Sequence, residues 1–206
     1  MRLISEGAQR DRFMRQVAAR WLATMGTVGL VVVAGLAVLH QTPLLAQELV
    51  LAPTLLADLE DTKRKFVDLA EALSWEHYAW RPMPGVRSVG EFFMHVAAGN
   101  VQFPLLLGHT PIDAIPEVLR RLPLWTDPVM PTSRSQVVDS LRRSFENARM
   151  AVRSAGHERF SATVQGSGEA VDVEAVLLRM SNHLHEHLGQ QIAYARINQI
   201  VPPWSK

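Results

Sequence analysis

The chain has 206 residues, 48% of them apolar and 20% charged, with a formal net charge of +1. That is a globular balance, long enough for one domain plus an appendage, and it offers no charge argument for nucleic-acid binding. It contains no cysteine, which excludes disulfides, thiolate metal sites and cysteine nucleophiles together and fits a reducing or an oxidising compartment equally.

Residues 1–20 are polar and basic, with Arg2, Arg10, Arg12, Arg15 and Arg20 against Glu6 and Asp11. From Trp21 to Leu39 there is no charge. His40 and Pro43 follow, and then Leu44-Leu45-Ala46. A basic flank, an apolar segment, a helix breaker and a small residue at the cut describe a secretory signal cleaved after Ala46. The apolar run is also about 28 Å long as a helix, enough to span a bilayer, so an uncleaved anchor with its arginines left inside is the rival. Either way residues 1–46 are expected to be a signal peptide or membrane anchor and residues 47–206 a helical domain. The domain is then exported: periplasmic, or anchored to the inner membrane and facing outward, with membrane contact only in the second case.

Four amphipathic segments follow. Leu55–Leu73 has Leu55, Leu59, Phe66, Leu69 and Leu73 on one side and Asp58, Glu60, Asp61, Lys63 and Arg64 on the other. Trp75, Tyr78 and Trp80 fall in a loop that ends at Arg81-Pro82-Met83-Pro84-Gly85, where two prolines and a glycine stop any helix. Ser88 followed by Glu91 is a capping box that opens a second helix to about Leu107, with Phe92, Val96, Gly99, Phe103 and Leu106 inward and Pro104 expected to end or kink it. The connection from Gly108 to Thr132 is rich in proline, holds one short helix near 117–122, and is a candidate lid or rim with Trp125 in it. Ser133 with Gln136 repeats the capping box and opens a third helix to about Ala155. Residues 160–170 read as a loop, and a last helix runs from Asp172, a plausible cap, to about Gln199. No strand pattern is present, so the fold class is all-α, a four-helix bundle behind an N-terminal signal or anchor helix.

The chemistry sits in Asn182-His183-Leu184-His185-Glu186-His187-Leu188-Gly189-Gln190. His183 and His187 are four apart, so they stack on one helical face, the face of Val176, Met180, Leu184 and Gln191; His185 points away. By itself such a pair is often two core histidines with ordinary hydrogen bonds. His95 changes that weighting, because it lies on the edge of the inner face of the second helix. Two adjacent helices can bring three imidazole nitrogens to about 2.0–2.1 Å from one ion, leaving an open position as reactive sites do. Glu91, Glu186 and Gln190 lie close enough to orient a ligand or a bound water. Imidazole ligation suits a divalent ion, zinc or nickel above all, with copper and iron open.

The stretches Arg81-Pro82-Met83-Pro84-Gly85-Val86-Arg87-Ser88-Val89-Gly90-Glu91 leading to His95, residues 125–131, and His183 to Gln190 with Tyr194 and Ile200-Val201-Pro202-Pro203 resemble the DinB/YfiT-like superfamily of metal-binding four-helix bundles. The resemblance runs from about residue 53 to the C-terminus. It implies a divalent metal on His95, His183 and His187, and a metal-dependent reaction such as thiol S-transfer or hydrolysis on a small-molecule substrate. Gln199 departs from the family, where glycine is common. The alternatives are a non-catalytic domain that binds metal or a partner, and a structural bundle whose histidines are core residues. A homodimer is the commonest outcome if the domain associates.

Overall fold

The computed structural model describes residues 51–121, 130–155, 162–165 and 170–205. The chain divides into units 1–47 and 48–206. The expected signal or anchor segment, its cleavage after Ala46, and Trp125 all lie outside the described residues. Among the described residues, no helix is long and apolar enough to cross a membrane.

The described chain is mainly helical. Helix α1 covers 51–72, α2 Trp75–Ala79, α3 Val89–Leu106, α4 Glu117–Arg121, α5 Arg134–Ala155 and α6 Val173–Ile197, and a turn of 3-10 helix closes at Pro203–Ser205. The four long helices share one core, in which Leu59 and Phe66 of α1, Phe93 and Val101 of α3, Leu141 and Phe145 of α5, and Leu177 and Leu184 of α6 are buried. Helix α3 packs along both α5 and α6. It is central, and its sequence shows why: after Glu91 its only ionisable side chain is His95, and Phe93, Met94, Ala97 and Val101 are buried as completely as the expected inner stripe. A helix apolar on every side can only be stable when surrounded.

Its start is the capping box read from the sequence. The Glu91 N–H donates to Ser88 Oγ at 3.3 Å, and the Ser88 N–H donates to Glu91 Oε2 at 2.6 Å. Its end falls within a residue of the expected Leu107, since the helix continues through Pro104 to Leu106 and Pro104 does not end it early. Proline cannot donate to the carbonyl four residues back. Asn147 of α5 takes that place, its Nδ2 donating to the Asn100 carbonyl at 3.1 Å.

Several local expectations are corrected. Trp75–Ala79 is a helical turn, held because the buried Tyr78 hydroxyl donates to the Ala70 carbonyl at 2.7 Å. The segment before α6 contains two short antiparallel strands, β1 Thr163–Gln165 and β2 Ala170–Asp172, with Val164 opposite Val171. Three-residue strands are too short to leave a periodic signal. Asp172 occupies the N-cap position of α6 but does not cap it, since its carboxylate accepts from Thr163 Oγ1 at 3.0 Å. The second capping box is half made. Ser133 Oγ accepts from the Gln136 N–H, whereas Gln136 Oε1 accepts from the N–H of Thr132 rather than of Ser133. At the C-terminal end of α6, Gln199 has a φ of 61°, the left-handed conformation that favours glycine.

Candidate metal centre

Helices α3 and α6 run antiparallel. Near one end Gln191 Nε2 donates to the Val89 carbonyl at 3.0 Å, and further along Phe103 stacks edge-on to His183 at 5.4 Å. This register brings His95 opposite His183 and His187. One ring nitrogen from each lies within 4.8 Å of the others. His95 Nε2 and His183 Nε2 are 3.1 Å apart, close to the roughly 3.3 Å that two nitrogens subtend in a tetrahedral site with bonds near 2.05 Å.

Each ring is set by a different means. His187 Nδ1 donates to the Gln190 amide oxygen at 2.7 Å. That contact places the proton on Nδ1 and leaves the Nε2 lone pair for a ligand role. Phe92 packs against the same ring at 5.4 Å. His183 is held by packing, because its Nδ1 is buried with no hydrogen-bond partner among the described residues. Its ring fits over Gly99, where a Cβ would come within 2.6 Å of Cε1. Gly99 is one turn after His95, so the same face that presents one imidazole leaves a notch for another.

Burial keeps the three rings neutral. Desolvation is the largest cause in each case. It lowers His95 to about 4, with Arg87 and His187 adding to the effect, and lowers His183 to about 3, with His187, His95 and Arg87 adding. His187 is also lowered by burial, opposed by Gln190 and Glu186. His95 Nε2 and His183 Nε2 lie within hydrogen-bonding distance of each other, and three neutral imidazoles converging in this way also suit a cation as their common partner. The donor set therefore fits a divalent ion.

The other expected residues divide. Gln190 orients His187, as described. Glu186 lines the cavity beside the triad. Glu91 is engaged on its other side: one carboxylate oxygen accepts from the Ser88 N–H of the cap and the other from Arg81 at 3.1 Å, contacts that start α3 and fix the preceding loop. His185 faces outward, bonded to Asp58 of α1 at 2.8 Å, and Asp58 also accepts from Ser181. Among the described residues, the connection expected as a lid supplies nothing to this cavity. Instead Arg120 and Gln102 bond its carbonyls, and Ile115 and Leu119 enter the core. Sequence reasoning placed Gly99 on the inner face of α3 and Arg87 in the stretch before it but gave neither a part in the site. The i, i+4 relation of Gly99 to His95 was a usable signal, whereas the approach of Arg87 was not, because it depends on how the loop before α3 folds back.

Beside the triad is a cavity of about 630 Å³, bounded by α3, α6 and Val171 of β2, a size typical of small-molecule sites.

A sequence pattern described as the DinB superfamily matches residues 58–191. Two crystal structures share the fold. A DinB-like protein from Bacillus cereus is 18% identical, with a TM-score of 0.53 over 69% of this chain and 89% of that one. A DinB-like protein from Bacillus subtilis is 15% identical, with a TM-score of 0.55 over 74% of this chain and 98% of that one. No protein of curated function matches.

Proposed function

The chain belongs to the DinB superfamily, and from that premise we propose that its DinB-like four-helix bundle holds a divalent ion, zinc or nickel, on His95, His183 and His187, and acts as a metal-dependent transferase or hydrolase on a small molecule. The observation that carries this is the convergence of ring nitrogens from two buried histidines and one half-buried histidine, all neutral, at the wall of a ligand-sized cavity. A bound divalent ion would supply Lewis acidity, lowering the pKa of a coordinated nucleophile. The chain's own part is to bind and orient. Gln190 holds the tautomer of His187, Gly99 admits His183, Phe92 and Phe103 exclude water from two of the rings, and Glu186 stands on the cavity wall where a carboxylate can take up a proton.

The test is a zinc and nickel titration followed by melting. A ligand that binds the native state alone stabilises it by about 2.7 kcal/mol at a hundredfold excess over its Kd. Wild-type protein is expected to melt higher with metal, and His187→Ala to lose that shift. Equal behaviour of the two proteins sinks the proposal. If metal binds but a panel of thiol, ester and epoxide substrates shows no turnover that depends on it and on His95, the non-catalytic metal-binding reading replaces the enzymatic one.

We also propose that residues 1–46 direct export, on the strength of the basic segment and the uncharged run from Trp21 to Leu39. Mass spectrometry of the N-terminus of protein taken from its own host would find Gln47 first if the segment is cleaved. A chain that begins near Met1 in the soluble cytosolic fraction would overturn export.

A further inference from the structure

The two histidines of α6 are not held equally. His187 has the Gln190 amide on its Nδ1, whereas the Nδ1 of His183 is buried with no hydrogen-bond partner among the described residues. The ring of His183 therefore stands where α6 carries it, over the notch at Gly99. A ring nitrogen lies roughly 6–7 Å from the axis of its helix, so turning the helix by about 5° displaces it by about 0.6 Å. Metal–ligand distances tolerate only about 0.2 Å. The hydrophobic effect that seats α6 is non-directional, so a setting this fine calls for directed bonds. Such bonds bracket His183. Ser181, two residues before it, donates through Oγ to Asp58 Oδ2 at 2.8 Å, and His185, two residues after it, bonds Asp58 Oδ1 through Nε2 at 2.8 Å. At about 100° per residue, positions 181 and 185 share one face of α6 and position 183 lies nearly opposite. One carboxylate on α1 thus ties two points a turn apart on the face of α6 turned away from the triad. Two bonds to one group fix a direction as well as a distance. Both side chains of the Asp58–His185 pair are partly exposed, and such a pair adds little to overall stability. What it governs is where the far face of the helix points.

We propose that Asp58 is a positioning residue for the metal centre. From α1 it sets the rotation of α6, and so delivers His183 Nε2 to the point shared with His95 and His187. The proposal rests on the metal-site reading for its effect on affinity, but not for the placing of the ring, which is a property of the metal-free fold.

The test compares the full chain with three variants. In a competitive zinc titration Asp58→Ala is expected to bind about 10–100-fold more weakly than the wild type, the range seen when groups that orient a ligand are lost. Asp58→Asn should lose less, because its amide oxygen still accepts from Ser181 Oγ, and it carries the same comparison should Asp58→Ala fail to fold. Leu69→Ala separates positioning from stability. It empties a fully buried position further along α1, so it should lower the melting temperature more than Asp58→Ala does and leave zinc affinity close to the wild-type value. Imidazole resonances of the metal-free proteins read the ring itself, and those of His183 should move further in Asp58→Ala than in Leu69→Ala. A wild type that binds no zinc overturns the metal reading alone, and the resonances then decide the positioning. The proposal is overturned if zinc binds the wild type and Asp58→Ala equally, if Leu69→Ala loses as much affinity as Asp58→Ala, or if the His183 signals move no further in Asp58→Ala than in Leu69→Ala.

Discussion

Helix α3 has a buried polar seam on each side, and the two are built differently. Against α5, polar atoms are matched to one another. Asn147 donates to the Asn100 carbonyl at 3.1 Å and accepts from the Ile112 N–H at 3.1 Å, and Ser144 bonds the Leu141 carbonyl at 3.0 Å and accepts a long bond from Asn100. Asn100 Oδ1 is the exception. Against α6, three imidazoles face each other, the His183 Nδ1 has no partner among the described residues, and the cluster opens into a cavity. Buried polar groups that satisfy each other specify packing; buried polar groups left for something else specify a ligand. The same central helix carries both, and the second seam opens directly into a cavity with room for a third party.

The largest expected difference between the seams is their response to pH in the metal-free protein. The histidines of the α6 seam have folded pKa values below the usual 6.5, so the unfolded chain binds protons that the folded chain refuses as pH falls. Stability is unaffected above about pH 6.5 and declines as pH falls from there towards about 3, on the order of 2 kcal/mol each for His95 and His183 by pH 5, with His187 acting in the same direction. The asparagines and serine of the α5 seam do not titrate. Urea midpoints at pH 7.5 and pH 5 check this, with His183→Leu expected to shrink the difference. The variant is needed because burial also lowers His109, which acts in the same direction. A midpoint that does not move with pH breaks the comparison.

Next is Asn147→Ala, which strands the Asn100 carbonyl and the Ile112 N–H. It should cost about 2–4 kcal/mol, because orphaned buried groups lose their full desolvation compensation. It should leave zinc affinity as it was. Chemical denaturation together with a competitive zinc titration reads both, and a variant that loses zinc instead of stability would show that the seams are not separable.

Gly99→Ala is the reciprocal change. Its methyl would lie 2.6 Å from His183 Cε1 and 3.1 Å from Nδ1, so the ring has to shift. Zinc affinity should fall about 10–100-fold, the range seen when groups that orient a ligand are disturbed. An unchanged affinity in the same competition assay would mean that the notch does not set the triad.

The smallest effect lies outside both seams. Gln199 holds a φ of 61° at the end of α6, where Ile200 N–H donates to the Ala195 carbonyl at 2.9 Å. Gln199→Gly should raise stability by about 1 kcal/mol by relieving the left-handed strain. The melting temperature reads this, and a decrease would show that the side chain contributes more than its conformation costs.

Much of this molecule was legible in the residues. Periodicity placed the four long helices, the Ser88–Glu91 box started α3 where it starts, and the spacing of His183 and His187 put both on the buried face of α6, since a helix converts sequence spacing directly into direction. The fate of Glu91, the bond that lets α3 pass through Pro104, the short strands before α6, and the approach of Arg87 to the triad were decided by tertiary structure. Each depends on which distant group arrives at a given place, as Asn147 does at the Asn100 carbonyl. Local sequence can say that a backbone or a carboxylate needs a partner, but only packing chooses the partner.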